Sequence, residues 1–185
     1  MSQNKSYFGV RVGYLSMDNY TPKKYGGIEF DFQFDNNVGI QYSFLAGKNY
    51  FHMPLAPSFG YIAGLTAAAA VPESDEGTDR VAIGIIVGLI TTIIPESISY
   101  NIPLNDNFSV CPYISPLQLD FLKNEGNAEG DWIAGLGVGS RLHVYLYDRK
   151  FRVSPYFEYK IHYRQDAPQG YTFGLNLAAR MSDGY

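Results

Sequence analysis

The residue types of a Ser-His-acid site occur in the second half of the sequence. His162 stands two positions after Lys160, Asp120 supplies a carboxylate, and Ser97 and Ser99 supply hydroxyl groups. A nucleophilic site needs a hydroxyl, an imidazole and a carboxylate in one hydrogen-bonded row. The spacing of these residues matches no catalytic motif. The sequence therefore predicts no catalytic residue, and we interpret the chain as non-enzymatic.

Metal and cofactor chemistry receives no support from the remaining candidate ligands. His52 and His143 lie in other regions of the chain, and Cys111 is the only cysteine. These residues lack the close Cys and His spacing of zinc sites, and one cysteine cannot form a disulfide within the chain. We predict structural or surface roles for both histidines, with no metal and no cofactor.

The overall charge balance argues against a nucleic-acid partner. The chain has 14 Lys and Arg residues against 18 Asp and Glu residues, for a net charge of −4, and its basic residues do not cluster. Aromatic residues make up 16% of the chain and charged residues 17%, below the roughly 25% charged content of soluble domains. This composition predicts that part of the surface faces a solvent other than water.

Most of the chain alternates between apolar and polar residues with a period of two, which is typical of strands with two different faces. In the first strand, Phe8, Val10 and Val12 share one face, and Gly9 and Arg11 share the other. The pattern recurs over 27–34, 38–47, 98–104, 108–121, 132–146, 151–163 and 171–181, with a bulge expected near Ser115–Pro116 because proline cannot donate to a ladder. These eight strands predict one all-β domain spanning 1–185.

The connections between the predicted strands alternate in length, as they do in outer-membrane barrels. Short turns are expected at Asp35–Asn36, Asn105–Asn107 and Asp148–Lys150, and long connections at Met17–Lys24, Lys48–Glu96, Lys123–Gly130 and Arg164–Gln169. The prediction is an antiparallel up-and-down barrel with short turns on one rim and long connections on the other.

Glycine placement indicates which face of the barrel is inside. Gly9, Gly13, Gly135 and Gly137 all fall on the polar face. A narrow eight-stranded interior requires small residues, whereas a solvated surface does not. The bulky aromatic face then meets lipid. A soluble lipocalin-like barrel, with the apolar face inside, is the alternative.

With this architecture, the chain resembles the eight-stranded outer-membrane barrels of the OmpA and OmpX type. The likeness covers most of the chain and includes the last strand. The apolar residues of that strand fall on one face, and they are Leu175, Leu177, Ala179, Met181 and Tyr185. The resemblance implies a location in the outer membrane of a Gram-negative bacterium, with the export signal removed, and membrane lipid as a partner. A lipid-modifying barrel enzyme is the alternative within this class.

Charged residues also occur on the glycine-bearing face. A narrow lumen tolerates them only when they are paired and hydrogen-bonded. We therefore predict a salt-bridge plug, with a gated ion path as the alternative. The predicted interior polar network comprises Arg11, Glu29, Asp31, Gln41, Asp120, Arg141, Arg152, Glu158, Lys160 and Arg180.

The connection Lys48–Glu96 is far longer than ordinary connections, and long loops are usually functional. It contains two apolar runs, 59–71 and 81–94, in which small residues recur every four positions, as they do in helices that pack closely in lipid. These small residues include Gly60, Gly64, Gly84 and Gly88. We expect a helical hairpin on the rim between strands three and four that contacts lipid or a surface protein. Two further strands, making ten, are the alternative.

Overall fold

The computed structural model describes residues 5–54, 82, 85, 95–126, 129–163 and 168–183. Strand formation follows the alternation of the sequence, because one face of each strand is buried and the other is exposed. The ten strands are β1 (Lys5–Met17), β2 (Lys23–Gln33), β3 (Val38–Gly47), β4 (Tyr50–Pro54), β5 (Ser97–Tyr100), β6 (Ile102–Pro103), β7 (Phe108–Leu122), β8 (Asp131–Leu146), β9 (Phe151–His162) and β10 (Gly170–Asp183).

The first and last strands close the sheet into a barrel. β1 pairs antiparallel with β2 on one side and with β10 on the other. The ladder continues from β2 to β3 and from β7 through β8 and β9 to β10. One wall position remains between β3 and β7, and it is shared by β4, β5 and β6. The predicted eight-stranded barrel is confirmed, with its eight wall positions built from ten strands.

The fourth wall position departs from the sequence prediction. Lys48–Asn49 form a two-residue turn, and β4 then runs back along β3 instead of belonging to a connection over 48–96. β4 has five residues, fewer than the roughly 9 to 11 that cross a bilayer. A prediction that looks for strands of membrane-crossing length therefore misses β4. The insertion therefore begins after Pro54, inside the fourth wall position, and not on the rim between strands three and four.

The chain rejoins the wall at β5, where Ser97 pairs with Gln41. The two extra strands arise from this division of one wall position. Two residues of the apolar runs are described, Ala82 and Ile85, and both are helical. The rest of both runs, with Gly60, Gly64, Gly84 and Gly88, lies outside the described residues.

A side chain bridges the interrupted ladder between β4 and β5. The backbone N–H of Ser43 donates to Glu96 Oε2 at 2.5 Å, and the Ser43 hydroxyl donates to Glu96 Oε1 at 2.8 Å. Glu96 thus takes the place of a ladder acceptor where the wall changes from one segment to the next.

The predicted bulge in β7 is confirmed, since the register shifts between Ser115 and Gln118. The inward residues have odd numbers before the bulge and even numbers after it, among them Tyr113 and Asp120, and Leu119 is buried as well. The Tyr163 hydroxyl donates to the Pro116 carbonyl, which satisfies an acceptor that the bulge removes from the ladder.

The outward face of the wall is apolar and the inward face is polar, as in a membrane barrel. Outward residues such as Val10, Val138 and Leu177 are large, apolar and about half exposed, at 51%, 46% and 51%. Inward residues such as Arg11 and Glu29 are buried and charged. The alternative of a soluble calyx is wrong, because that fold places apolar side chains inside and polar ones in water. Among the described residues, no helix has the length and hydropathy needed to cross a membrane.

Replacement of Val138 by arginine should block barrel assembly in lipid vesicles. Val138 lies at the middle of β8, where arginine on the lipid face costs about 2 to 4 kcal/mol. Leu146→Arg, at the end of the same strand, is the matched control and should assemble, because the cost falls near the interface. Heat-modifiable gel migration measures the folded fraction, and equal assembly of the two variants would contradict the lipid-facing assignment.

Candidate functional site: the charged interior

The upper interior, on the side of the long connections, is built mainly of apolar residues, with buried Lys23 beside Leu15. It is formed where strands reach that rim, so its residues come from the ends of β1, β3 and β7 and the beginnings of β2, β4 and β8, together with Tyr156 of β9. This apolar layer comprises Leu15, Met17, Tyr25, Leu45, Tyr50, Leu122, Ile133 and Tyr156. Its phenolic groups are satisfied locally, since the Tyr25 hydroxyl bonds those of Tyr156 and Thr172.

Below the apolar layer, His52 lies between two carboxylates. Its Nε2 is 3.0 Å from Glu96 Oε1, and its Nδ1 is 2.8 Å from Asp120 Oδ1. A histidine ring that donates to two carboxylates carries both N–H groups, as the cationic form does. Asp120 also accepts from Lys160 Nζ at 2.7 Å and from the Tyr50 hydroxyl at 3.0 Å. These residues join the two stems of the insertion to β7 and β9.

The same row of charges continues toward the short turns. Lys160 Nζ lies 3.9 Å from Glu158 Oε1, and Arg11 Nη2 lies 3.9 Å from Glu158 Oε2. Arg11 Nη1 is 3.4 Å from Glu29 Oε2, and Arg141 Nη1 donates to Glu29 Oε1. Anion and cation therefore alternate along the lumen. We call this row, Glu96–His52–Asp120–Lys160–Glu158–Arg11–Glu29–Arg141, the ion-pair chain.

Tyrosine rings cover the guanidinium groups of the ion-pair chain. The Arg11 guanidinium lies 4.1 Å from the centroid of the Tyr156 ring, and that of Arg141 lies 4.8 Å from the Tyr113 ring. Aromatic faces attract such cations and occupy the space beside them. Two interior glycines make room for these contacts. A Cβ on Gly13 would meet the Tyr25 hydroxyl oxygen at 2.6 Å, and one on Gly137 would meet the Glu158 carboxyl carbon at 2.9 Å.

A separate pair occupies the lower interior. Arg152 Nη1 donates to Asp31 Oδ2 at 2.5 Å, and its guanidinium lies 4.5 Å from the centroid of the Tyr7 ring. His143 Nδ1 is 2.8 Å from the Ser154 hydroxyl. These groups complete the polar filling on the side of the short turns.

The structure places the predicted interior residues as follows. Gln41 is buried, and neither polar atom of its side chain has a hydrogen-bond partner among the described residues. Arg180 is half-buried. The remaining predicted residues are buried and ion-paired, and they are Arg11, Glu29, Asp31, Asp120, Arg141, Arg152, Glu158 and Lys160.

The sequence pattern does not place His52 and Glu96 in the interior polar network, because both residues fall inside the stretch predicted to be one long connection. A usable signal exists at the first stem, where Tyr50, His52 and Pro54 keep a period of two. Glu96 carries no such signal, since its role depends on the wall being interrupted beside Ser43.

The candidate Ser-His-acid residues are not assembled into a triad. His162 Nδ1 faces the carbonyl oxygen of Pro168, and its Nε2 is 3.7 Å from Asp120 Oδ2. The Ser97 hydroxyl instead lies 2.5 Å from that of Ser115. Within the described part of the chain, no serine hydroxyl forms a hydrogen bond with His162, so this arrangement lacks an activated nucleophile.

Two connections meet above the apolar layer. The Tyr20 hydroxyl donates to Asp131 Oδ2 at 2.7 Å, and Asn124 Nδ2 donates to the Asn19 carbonyl at 2.9 Å. At the same rim, Lys48 Nζ and Glu125 Oε1 are 2.7 Å apart and exposed.

This exposed pair changes the titration of both groups. Hydrogen bonding to Glu125 raises the pKa of Lys48, and hydrogen bonding to Lys48 lowers the pKa of Glu125. Exposed pairs of this kind contribute little to stability because water and salt screen them.

The sequence matches no protein-family model and no curated protein. Solved structures are nevertheless similar over nearly the whole chain. The N-terminal β-barrel domain of Pseudomonas aeruginosa OprF is 8% identical, with a TM-score of 0.56, covering 96% of this chain and 97% of that one. Neisserial surface protein A is 9% identical, with a TM-score of 0.50 and 96% coverage of both chains. Ail of Yersinia pestis is 14% identical, with a TM-score of 0.47, covering 97% of this chain and 99% of that one. The likenesses to the OprF domain and to Neisserial surface protein A establish the fold, which is that of the small outer-membrane barrels.

Arg141→Met should destabilise the barrel by about 3 to 5 kcal/mol, because it leaves a buried carboxylate with an incomplete set of partners. Glu29 would keep only Arg11 and Asn176 Nδ2, which lie at 3.4 and 3.2 Å. The double variant Glu29→Gln/Arg141→Met should recover part of the loss.

Urea unfolding of the refolded protein, followed by heat-modifiable migration, measures this change. Lys48→Met, in the exposed pair, is the control and should leave the unfolding midpoint unchanged. If Arg141→Met shifts the midpoint no more than Lys48→Met does, the ion-pair chain does not contribute to stability.

Proposed function

We propose that the chain is a non-enzymatic protein of the Gram-negative outer membrane. Its barrel is closed to ions by its own side chains, and its insertion contacts lipid or a partner at the cell surface. The observation that supports this proposal is the ion-pair chain lying beneath the apolar layer, since both are made of buried inward side chains.

The aromatic residues at both rims support the membrane placement. Near the long connections, the Trp132 ring packs against Phe121 and Phe51, at centroid distances of 5.2 and 6.4 Å. Near the short turns, Tyr147 and Phe151 pack at 6.1 Å. Aromatic girdles flank the apolar band of outer-membrane barrels, where amphipathic rings sit at the level of the headgroups.

Two barriers in series support a closed lumen. An ion that enters from the long connections first meets buried Leu15, Leu45 and Leu122, which offer it no ligands. It then meets charges that already neutralise one another, such as Glu29 between Arg11 and Arg141. A hydrophobic constriction resists wetting, and a neutralised row of charges does not attract an ion of either sign. A channel would need both barriers to open.

The purified protein should show no steady conductance in planar bilayers, and neither should Glu158→Ala, because the apolar layer remains in that variant. An open porin added to the same bilayer is the control for the recording. Stable open steps in the unmodified protein that change in size in Glu158→Ala would contradict the closed lumen and favour an ion path.

The insertion supplies the surface-contact part of the proposal. Its stems leave the wall beside Pro54 and Glu96, and the His52–Glu96 pair joins them inside the lumen. The lumen at this level is occupied by Asp120 and Lys160, whose side chains are buried. An apolar sequence attached here is therefore best accommodated on the lipid side of the wall, where it can meet lipid or another membrane protein.

Deletion of residues 57–94, with a short Gly/Ser bridge, should leave an assembled barrel. The deletion keeps His52, Ser43 and Glu96, which hold β4 and β5 together in the wall. Gel migration tests assembly, and native mass spectra of both proteins after mild detergent extraction show which bound species depend on the insertion. The same deletion combined with Glu96→Gln should assemble less well. If the simple deletion fails to assemble, the insertion is part of the wall and this part of the proposal is wrong.

A further inference from the structure

The outer wall carries an apolar groove next to the short turns. The register aligns Phe8 of β1, Ala179 of β10 and Phe151 of β9 in one row across three adjacent strands. All three side chains point outward, and the two rings are 38% and 51% exposed. A methyl group between two phenyl rings leaves a depression, because the middle side chain is much shorter than its neighbours.

The groove continues along the strands from this row. The next outward row is Val10, Leu177 and Val153, paired across the same three strands. The groove has a volume of about 520 Å³, and its accessible lining is almost wholly apolar. Since it runs between strands toward the rim, its shape suits an extended hydrocarbon chain lying along the wall.

The rim end of the groove carries a rigid basic turn. Tyr147, Asp148 and Arg149 have φ values of 51°, 55° and 65°, a left-handed conformation that non-glycine residues rarely adopt. The turn is held by the Lys150 N–H, which donates to the Tyr147 carbonyl at 3.1 Å, and by the Arg149 guanidinium, which donates to the Asp106 carbonyl at 2.9 Å. The conformation of the turn is therefore fixed by contacts on both of its sides.

The side chains of this turn suit a phosphate group. Tyr147 is 77% exposed and lines the groove, and Lys150 is exposed directly before Phe151. Two cations, Arg149 and Lys150, outweigh the one anion, Asp148, so the turn has a net charge of +1. An apolar groove that ends at a cationic, aromatic rim matches a phospholipid, whose acyl chain is apolar and whose phosphate is anionic.

We propose that this groove binds one phospholipid of the leaflet on the short-turn side. An acyl chain lies over Ala179 between Phe8 and Phe151, and the phosphate lies near Lys150. This inference rests on the membrane placement proposed above. It concerns the side of the barrel opposite the long connections, so it is independent of the insertion.

The first experiment fills the groove. The full chain is refolded into vesicles of phosphatidylethanolamine and phosphatidylglycerol, extracted in mild detergent and examined by native mass spectrometry. The unmodified protein should retain one phospholipid. Ala179→Phe should reduce the lipid-bound fraction at least tenfold, whereas Ala134→Phe, an outward alanine on β8 near the other rim, should retain it. Phe151→Ala, which removes one side of the groove, should also release lipid and provides a second test if Ala179→Phe does not fold.

The second experiment tests the headgroup. Lys150→Gln should weaken binding of phosphatidylglycerol about fivefold, the effect of one basic residue at a membrane surface, and should affect phosphatidylethanolamine less. Lys24→Gln, an exposed lysine near the other rim, is the control and should change neither. Unchanged binding of both lipids in Lys150→Gln would overturn the contact between Lys150 and the phosphate.

The outcomes separate this inference from the proposed function. If all variants assemble in vesicles and retain lipid equally, the groove is not a lipid site although the membrane placement stands. If the unmodified protein does not insert into vesicles at all, the proposed function fails first. A lipid-free dimer that Ala179→Phe disrupts would overturn the lipid in favour of a second copy of the chain.

Discussion

The carboxylate of Glu29 lies between the guanidinium groups of Arg11 and Arg141, in a lumen too narrow to hydrate three such groups. Burial of any one of these charges alone would cost several kcal/mol, so each residue is tolerated only with its neighbours in place. This mutual dependence extends from Glu96 to Arg141 and links six of the strands, β1, β2, β4, β7, β8 and β9. The rings of Tyr156 and Tyr113 lie beside Arg11 and Arg141, and the missing side chain of Gly137 leaves room for Glu158, so these residues fit around the row of charges.

The apolar layer is a consequence of the same narrow lumen. Near the long connections the inward positions include Leu15, Leu45 and Leu122, and buried Lys23 lies beside Leu15. Apolar side chains are buried at this end without a desolvation cost, and Tyr20, whose hydroxyl bonds Asp131, packs against them. The inward side chains thus interact in two different ways, by apolar packing at one end and by ion pairing in the middle.

The division of the fourth wall position leaves one backbone N–H without a ladder partner, and an interior side chain supplies the acceptor. Where β4 stops and β5 has not begun, the Ser43 N–H would lack an acceptor in a wall surrounded by lipid, and Glu96 provides one. The charge of Glu96 then needs its own partner, which is His52. One interruption in the wall therefore accounts for two residues of the ion-pair chain. The insertion is tied to the interior through the same pair, which couples its stems to the stability of the barrel.

The alternation of the sequence predicts most of the strands, the bulge near Ser115, the eight wall positions and which face is polar, because the period of two is a local property of extended backbone. It did not determine which charges meet, since contacts such as Arg11 with Glu158 depend on how far each strand is shifted along its neighbour. The inward apolar layer was also hidden, because apolar residues occupy both faces at the strand ends and the alternation no longer distinguishes them. β4 and the role of Glu96 were decided only by the tertiary structure. A strand of five residues has too few neighbours along the chain to be recognised, and Glu96 meets Ser43 only once the barrel has closed.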